Sequence, residues 1–258
     1  MVEKNYRLGE YTGLGNFYRK YRKGYSKDIL KLLLAHICFE NKKEFNFVDV
    51  GSGTGIWTRE VLEAGVKSAV CVEPNDDMRK NAIIWCEGLN VDFKKGSGEA
   101  TGLNSNSADW ITMASSFHWT NKDKSLPEFH RVLKEGGYLT LIWNPLLKKG
   151  DRTQEDIEKI IQDIVPEFDR GSRSKDDWRE ILTSTGHFKD VVEMRMVNYR
   201  KISTKEYIVT WEAVNHLQAI AGPERFNKII EKMKEYLSGK DYITVPYLTK
   251  CWTAKRID

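Results

Sequence analysis

The chain has little cysteine and no long apolar run, and both absences restrict what it can be. Its 258 residues include four cysteines, which form no Cys-x-x-Cys pair and no metal-ligand spacing. Cys71 falls on a predicted buried strand, so we expect reduced thiols and a cytoplasmic protein. No segment approaches the ~18 apolar residues of a membrane span, and residues 1–6 lack an apolar signal core. We therefore predict no bound metal and no membrane partner. The cysteines are Cys38, Cys71, Cys86 and Cys251.

Two common phosphate-binding loops are also absent, although glycines follow the first predicted strand. Residues 47–55 read FVDVGSGTG, an apolar strand with one acid and then three alternate glycines. A dinucleotide fingerprint would need glycine in place of Ile56, and a P-loop would need a lysine after the glycines. Because glycine lacks Cβ, the backbone can turn sharply here and approach a bound molecule closely. The spacing favours a cofactor site without a pyrophosphate, unless the glycines only connect a strand to a helix.

A second predicted strand also ends in an acid. Residues 69–74 read AVCVEP, which places Glu73 eighteen residues after Gly55. In doubly wound folds, an acid about 20 residues after the glycine turn lies at the tip of the second strand and accepts ribose hydroxyls. The two oxygens of Glu73 suit two vicinal hydroxyls. Alternatively, Glu73 caps the helix that starts near Asn75.

The apolar pattern predicts alternating strands and helices, beginning with a helix that Ser26 or Asp28 caps. Such alternation favours a parallel sheet with right-handed crossovers and a ligand site beyond the carboxyl ends of its strands. We predict an α/β, Rossmann-like, doubly wound and mostly parallel seven-stranded sheet, with a final antiparallel hairpin strand and a helical cap. The predicted strands are 45–50, 68–73, 90–95, 108–113, 137–143, 191–200 and 242–255, and the later helices are 157–164, 176–184 and two within 204–238.

We predict a single domain over residues 1–258, with a basic segment at its start. Residues 1–26 hold six basic and two acidic residues, an excess equal to the net charge of +4 of the whole chain. This arm is consistent with an anion-attracting lid, with a nucleic-acid footprint of basic and aromatic residues, or with an ordinary solvated segment. The parts we expect are a lid (1–26), a cofactor-binding core (27–145), the remaining core (146–200 and 240–258) and a cap (201–239) that carries Tyr207, Trp211 and His216.

Longer segments resemble one enzyme family. The glycine turn with its preceding acid resembles motif I of the class I S-adenosylmethionine-dependent methyltransferases. Residues 92–103, 108–119 and 129–139 resemble later segments of their small-molecule branch, the last being a helix, a glycine turn and the fifth strand. The triplet FHW at 117–119 is similar to that of trans-aconitate-type carboxyl methyltransferases. Residues 21–26, YRKGYS, resemble that group's Tyr-Arg-Pro-Gly-Tyr-Pro signature without its prolines, which weakens transfer of a substrate by analogy.

The resemblance implies S-adenosyl-L-methionine as cofactor and a role for several residues. Asp49 should face the cofactor's amino group, directly or through water, and Glu99 should approach the adenine edge while Met78 covers its face. Tyr21 and Arg22 should close over the methionine end, where the guanidinium pairs with a carboxylate. The implied cofactor-binding residues are Tyr21, Arg22, Asp49, Gly51, Gly53, Gly55, Glu73, Pro74, Met78, Gly98, Glu99 and Ser115.

His118 is the candidate catalytic residue. Methyl transfer is an in-line displacement, so the enzyme mainly aligns the nucleophile with the methyl carbon. An ionised carboxylate needs no general base, whereas a hydroxyl does, and histidine titrates near neutrality. His118 alternatively orients its loop or contacts the substrate, and Trp119 packs against either the cofactor or the core. We predict transfer to an oxygen, carboxylate or hydroxyl, of a small-molecule acceptor, for which an anion is one option.

Other methyl-transfer chemistries lack their motifs. No Asn/Asp-Pro-Pro-Tyr/Phe motif follows the fourth strand, where residues 114–117 read ASSF, and no Pro-Cys pair is present. The acid cluster of metal-dependent catechol-type enzymes is also missing after that strand, since Asp109 does not follow it. Two alternatives stay open: an RNA-binding methyltransferase that uses the basic arm, and a non-catalytic S-adenosylmethionine-binding protein. The sequence leaves the acceptor and the oligomeric state open.

Overall fold

A computed structural model describes residues 12–22, 24–38, 44–168, 176–211 and 214–258. Its strands are β1 (Phe47–Val50), β2 (Ala69–Val72), β3 (Val91–Lys94), β4 (Ala108–Ala114), β5 (Leu133–Trp143), β6 (Phe188–Ser203) and β7 (Tyr242–Arg256). Within the described residues they form one sheet in the order β3-β2-β1-β4-β5-β7-β6. The first five strands are parallel to one another, and β7 is antiparallel to both β5 and β6. The predicted seven-stranded, doubly wound fold with an antiparallel final strand is confirmed.

Helices surround this sheet, and its two faces bury different apolar residues. They are α1 (Gly15–Tyr21), α2 (Lys27–His36), α3 (Ile56–Glu63), α4 (Asp76–Trp85), α5 (Lys122–Val132), α6 (Arg152–Ile164), α7 (Trp178–Ser184), α8 (Thr204–Trp211) and α9 (Asn215–Tyr236). Phe47 and Trp110 belong to a core with residues of α2 and α3, whereas Val48 and Ile111 join residues of α5 and α7. Because successive strand residues point to opposite faces, both faces of the sheet are covered.

Polar caps explain where several helices begin. The Ser26 hydroxyl accepts from Ile29 N at 3.4 Å and caps α2. Asn75 caps α4, so this residue, and not Glu73, is the helix cap. Asp177 caps α7 by accepting from the amides of Arg179 and Glu180, which is why that helix begins after position 176. Side-chain acceptors satisfy amides that have no partner in the first turn.

The fifth strand begins earlier than predicted, and the predicted glycine turn lies within an irregular part of it. β5 begins at Leu133, next to Ala108 of β4, and the register then shifts so that Trp110 lies beside Tyr138. The residues between form a bulge, in which Gly136 has φ +70°. A bulge absorbs extra residues without ending a strand, and glycine adopts the left-handed backbone it needs. Thus one strand replaces a turn and a shorter strand.

A separate apolar cluster joins α6, α8, α9 and the adjoining ends of β6 and β7. Two helices were predicted here, and α9 is in addition bent at Gly222, with φ +68°, before Pro223. Tyr207 is buried in this cluster, where its hydroxyl donates to Gln154 Oε1 at 2.8 Å. Trp211 and His216 reach the cavity described below. Of the predicted cap residues, Tyr207 is therefore structural.

Among the described residues, no helix combines the length and hydropathy of a membrane span. In the same part of the chain, no cluster of three or more histidine, cysteine or acidic side chains has the arrangement of a metal site. All four cysteines are free thiols, and Cys38 alone of them is exposed.

Candidate active site

The turn after β1 forms one wall of a cavity at the carboxyl ends of the strands. Gly51, Gly53 and Gly55 have φ values of +65°, +56° and +77°, the left-handed region that glycine tolerates. A Cβ on Gly51 would lie 2.7 Å from the Ser116 side chain, whereas a Cβ on Gly53 would enter open space. Gly51 and Gly53 line the cavity, but Gly55 does not. Gly55 instead precedes α3, where a Cβ would approach the Cys86 sulfur at 2.9 Å.

Glu73 ties the glycine turn to the tip of β2. Its Oε2 accepts from Gly53 N at 2.8 Å, and its Oε1 accepts from Asn75 N at 2.9 Å. Burial raises the pKa of Glu73, although both amides and Arg79 favour the ionised form. Each carboxylate oxygen keeps acceptor capacity beyond one hydrogen bond, and the residue lines the cavity. The site therefore fits a ligand with a pair of hydroxyls.

Asp49, which the resemblance places toward the cofactor's amino group directly or through water, lies behind the glycine turn. Its side chain is fully buried behind the glycine turn and is absent from the cavity wall. Oδ2 accepts from the Thr58 hydroxyl at 2.6 Å, and Oδ1 accepts from the Thr112 hydroxyl at 3.0 Å. Burial raises the pKa of Asp49 to about 7, against the opposing effect of the two threonines. The expected direct contact with an amino group is therefore not available in this arrangement.

The predicted adenine-binding residues meet at the cavity edge after β2 and β3. Pro74, Met78, Gly98 and Glu99 all line it, and Met78 is 4% exposed. Glu99 Oε1 accepts from Asn121 N at 2.7 Å. Burial would raise the pKa of Glu99, but the Asn121 amide and Ser97 lower it, and the net shift is downward. An apolar side chain and an acceptor suit the face and the amino edge of a purine.

Tyr21 and Arg22 line the cavity at the end of α1. This helix is tied to α4, because Gly13 N and Gly15 N both donate to Asp77 Oδ2 at 2.9 Å. Residues 1–11 and 23 of the predicted lid, with most of its remaining basic side chains, lie outside the described residues. Within the described part, α1 places an aromatic ring and a guanidinium at one cavity.

Residues 24–26, which we name the strap, connect α1 to α2 across the sheet. Asn144 Nδ2 donates to Gly24 O at 2.7 Å, and Ser26 N donates to Thr249 Oγ1 at 3.0 Å. Tyr25 donates its amide to Glu60 Oε2 at 2.9 Å. These hydrogen bonds satisfy backbone N–H and C=O groups of the strap that would otherwise lack partners.

Tyr25 also shapes the predicted cofactor residue Ser115. Their hydroxyl oxygens lie 2.9 Å apart, and Ser115 has φ +57°, which is strained for a residue with a Cβ. Burial raises the pKa of Tyr25 to about 12, so the phenol stays protonated. Sequence reasoning did not assign Tyr25 a role, although its place in the YRKGYS motif was a signal.

The cavity continues past the glycine turn into a compartment lined by tryptophans. Its volume is about 1520 Å³, above the roughly 300–1,000 Å³ of ordinary ligand pockets, so a second molecule has room beside a cofactor. Trp143 and Trp178 stack with ring centroids 4.6 Å apart, and Trp252 meets Trp143 edge-on at 5.8 Å. We call these three the tryptophan compartment. Sequence reasoning missed it, because the three residues come from β5, α7 and β7.

His118 lies between the glycine turn and this compartment, in a short 3-10 helix over Phe117–Trp119. Trp143 Nε1 donates to His118 Nδ1 at 3.3 Å, and the Trp119 ring centroid lies 4.8 Å from that of His118. Because Nδ1 accepts this hydrogen bond, the neutral imidazole carries its proton on Nε2. Trp119 is 40% exposed at the cavity wall, so it does not plug the core.

Comparison with known proteins is consistent with this geometry. Residues 48–141 match the family described as methyltransferase domain. The chain is 29% identical over 140 residues to an uncharacterised methyltransferase-like protein of Schizosaccharomyces pombe, an alignment covering 54% of this chain and 52% of that protein. It therefore spans about half of that relative. An uncharacterised methyltransferase of Mycobacterium tuberculosis is 24% identical over 213 residues, covering 79% of this chain and 80% of the relative.

A solved structure shares the fold along most of its length. The structure of a proposed type II methyltransferase from Anaeromyxobacter dehalogenans superimposes with a TM-score of 0.63 at 15% identity, covering 92% of this chain and 97% of the other. The matched domain spans the glycine turn, Glu73 and β4, the parts that build the cofactor end of the cavity. Residues 48–141 therefore match a methyltransferase domain, and the chain shares its fold with the solved structure.

Proposed function

We propose that the chain methylates an oxygen of a small-molecule acceptor, and a carboxylate in preference to a hydroxyl. We propose S-adenosyl-L-methionine as the cofactor, which when bound would supply an electrophilic methyl carbon on its sulfonium. The chain's part is to hold the acceptor oxygen in line with that carbon and to exclude water. The observation that carries the proposal is the hydrogen bond from Trp143 Nε1 to His118 Nδ1.

This hydrogen bond determines what His118 can do for an acceptor. A general base must present an unprotonated nitrogen to the hydroxyl it deprotonates. Here Nδ1 is occupied by the Trp143 indole, and Nε2 carries the proton of the neutral ring. His118 is thus suited to donate from Nε2 to an oxygen that is already anionic. A carboxylate meets this requirement at neutral pH, since it ionises near pH ~4.

The same reading assigns the cofactor contacts. We propose that Glu73 accepts the ribose hydroxyls, that Met78 and Glu99 contact the adenine, and that Tyr21 and Arg22 hold the methionine end. Gly51, Gly53, Pro74, Gly98 and Ser115 shape the wall between them, while Asp49 and Gly55 support that wall from behind. Cavity lining and hydrogen bonding support these roles.

Three further expectations stay proposals. The triplet at Phe117–Trp119 supports the trans-aconitate-type branch, and transfer to a carboxylate agrees with it. We propose that the chain forms one domain, divided into lid, core and cap. We also propose that the protein is cytoplasmic, because its cysteines are free thiols. The RNA-binding alternative depends on the basic arm, and residues 1–11 and 23 of that arm lie outside the described residues.

The test is a pair of pH–rate profiles on whichever acceptor a screen of small acids and phenols identifies. On a carboxylate, we expect His118→Ala to lower kcat/KM by less than about tenfold, because only a hydrogen bond is lost. His118→Asn, which keeps an N–H donor, should restore part of that loss. Neither variant should change the shape of the profile, and His130→Ala, outside the cavity, should match the wild type.

A different outcome would reverse the proposal. If a phenol or alcohol is the acceptor and His118→Ala lowers the rate by about 10²–10⁴-fold, His118 acts as a general base. A wild-type rate limb near pH ~6.5 that the variant lacks would support the same conclusion. Salt-resistant binding of a structured RNA without small-molecule methylation would favour the RNA-binding alternative, because nonspecific phosphate contacts weaken with salt.

A further inference from the structure

Lys250 is a cation on the wall of the cavity, next to the tryptophan compartment. It lies on β7, directly beside Trp143 of β5 and two residues before Trp252. Residues two apart on a strand share a face, so Lys250 faces the tryptophan compartment. Its side chain is half-buried.

The cross-strand neighbour of Lys250 is also a cation. In the register of β6 and β7, Arg195 lies directly opposite Lys250. Like charges at directly opposite positions destabilise a sheet. Arg195 is compensated, because its Nε contacts Glu193 Oε1. Among the described residues, Lys250 has no ion-pair partner within 4.0 Å.

Lys149 also lines the cavity but is exposed to solvent, whereas several other charged groups around this compartment have partners. Asp176 pairs with Lys122 at 3.1 Å, and Lys148 pairs with Glu158 at 2.5 Å. Asp177 accepts the first amides of α7. Each of these ion pairs is electrically neutral. The positive charge of Lys250 therefore remains uncompensated beside apolar walls. A partly buried charge without a partner is unfavourable, and an anionic ligand would remove that penalty.

We infer that Lys250 binds the negative charge of the acceptor, and that the acceptor is a flat, largely apolar acid such as an aromatic carboxylate. This inference rests on the proposed function and names its substrate class. The stacked Trp143 and Trp178 rings with Trp252 offer faces and edges on which a flat body packs. One half-buried uncompensated cation beside apolar walls matches one charge on the ligand better than it matches a small polyanion.

The test measures binding and does not require turnover. Calorimetry with S-adenosylhomocysteine present compares 2-naphthoate with neutral 2-naphthamide, which has nearly the same shape. We expect the wild type to bind the naphthoate at least about tenfold more tightly, which corresponds to roughly 1.4 kcal/mol. Lys250→Met should abolish this preference, whereas Lys250→Arg should keep it. Lys255→Met, on the same strand but outside the cavity, should behave as the wild type.

Two results would overturn the inference. One is a naphthoate preference that is absent in the wild type or unchanged in Lys250→Met. The other is citrate, a small polyanion without a flat body, displacing naphthoate at equal or lower concentration. Titration with S-adenosylhomocysteine confirms that each variant is folded, and Lys250→Arg supplies the comparison if Lys250→Met is not. Failure of the proposed function would appear separately, as no methyl transfer to any acceptor despite intact naphthoate binding.

Discussion

Asp49 shows how one buried carboxyl couples the fold to pH. It is fully buried between Thr58 and Thr112, and burial raises its pKa from 3.8 to about 7. The folded chain therefore keeps a proton that the unfolded chain has released. This contribution to stability is complete below the unfolded pKa and is lost as pH rises through the folded pKa. We expect the wild type, relative to Asp49→Asn, to lose roughly 2–3 kcal/mol between about pH 5 and pH 8.

Urea unfolding of the cofactor-free protein at several pH values measures this difference. Burial also raises the pKa of Glu60 to about 7, but Glu60 is present in both proteins and its contribution cancels. Asp92→Asn, on the exposed edge of β3, is the matched control and should follow the wild type. Parallel curves for the wild type and Asp49→Asn would show that Asp49 is ionised in the folded state.

At the scale of elements, the strap holds α1 over the cofactor end of the cavity. A Cβ on Gly24 would overlap the carboxylate of Glu60, the group that accepts from Tyr25 N. Gly24→Ala should therefore destabilise the protein by roughly 1–3 kcal/mol, as overpacking does. It should also weaken S-adenosylhomocysteine binding, because Tyr21 and Arg22 lie within three residues of Gly24.

Removing the Glu60 carboxylate tests whether Gly24→Ala destabilises the protein through overlap with that group. The double variant with Gly24→Ala and Glu60→Ala should be more stable than the sum of the single changes predicts, with a coupling of roughly 0.5–3 kcal/mol. Denaturant unfolding and calorimetric titration measure the two quantities. Additive effects would mean that Gly24 is not pressed against Glu60 in solution.

For the whole molecule, a ligand that binds only the folded state should raise the midpoint of thermal unfolding. At about 100 times its dissociation constant, such a ligand adds roughly 2.7 kcal/mol. This corresponds to roughly 5–11 °C in a protein of this size, since each kcal/mol shifts Tm by about 2–4 °C. We expect S-adenosylhomocysteine to produce this shift in differential scanning fluorimetry.

NAD is the matched negative control, because the glycine turn lacks the third glycine of a dinucleotide fingerprint at Ile56. Glu73→Ala should reduce the shift at equal ligand concentration, since it removes hydrogen bonds to the ribose and to Gly53 N. An equal shift with NAD, or none with S-adenosylhomocysteine, would contradict the assigned cofactor.

The sequence by itself determined the order of strands and helices, the glycine turn and the position of Glu73. These features depend on short-range patterns: apolar periodicity, a backbone that only glycine tolerates, and an acid at a fixed interval after it. The bulge at Gly136 escaped this reasoning, because a glycine pair marks a turn and a bulge equally well.

Only the tertiary structure decided three features: where the Asp49 side chain points, which nitrogen of His118 carries the proton, and the charge beside the tryptophan compartment. Trp143 meets His118 across 25 positions of the chain, and Lys250 meets Arg195 only through the register of two antiparallel strands. Such contacts depend on how distant elements pack and on which face each side chain occupies. A local sequence pattern does not contain the packing of distant elements or the face that each side chain occupies. The same residues in another register would point to the opposite face of the sheet.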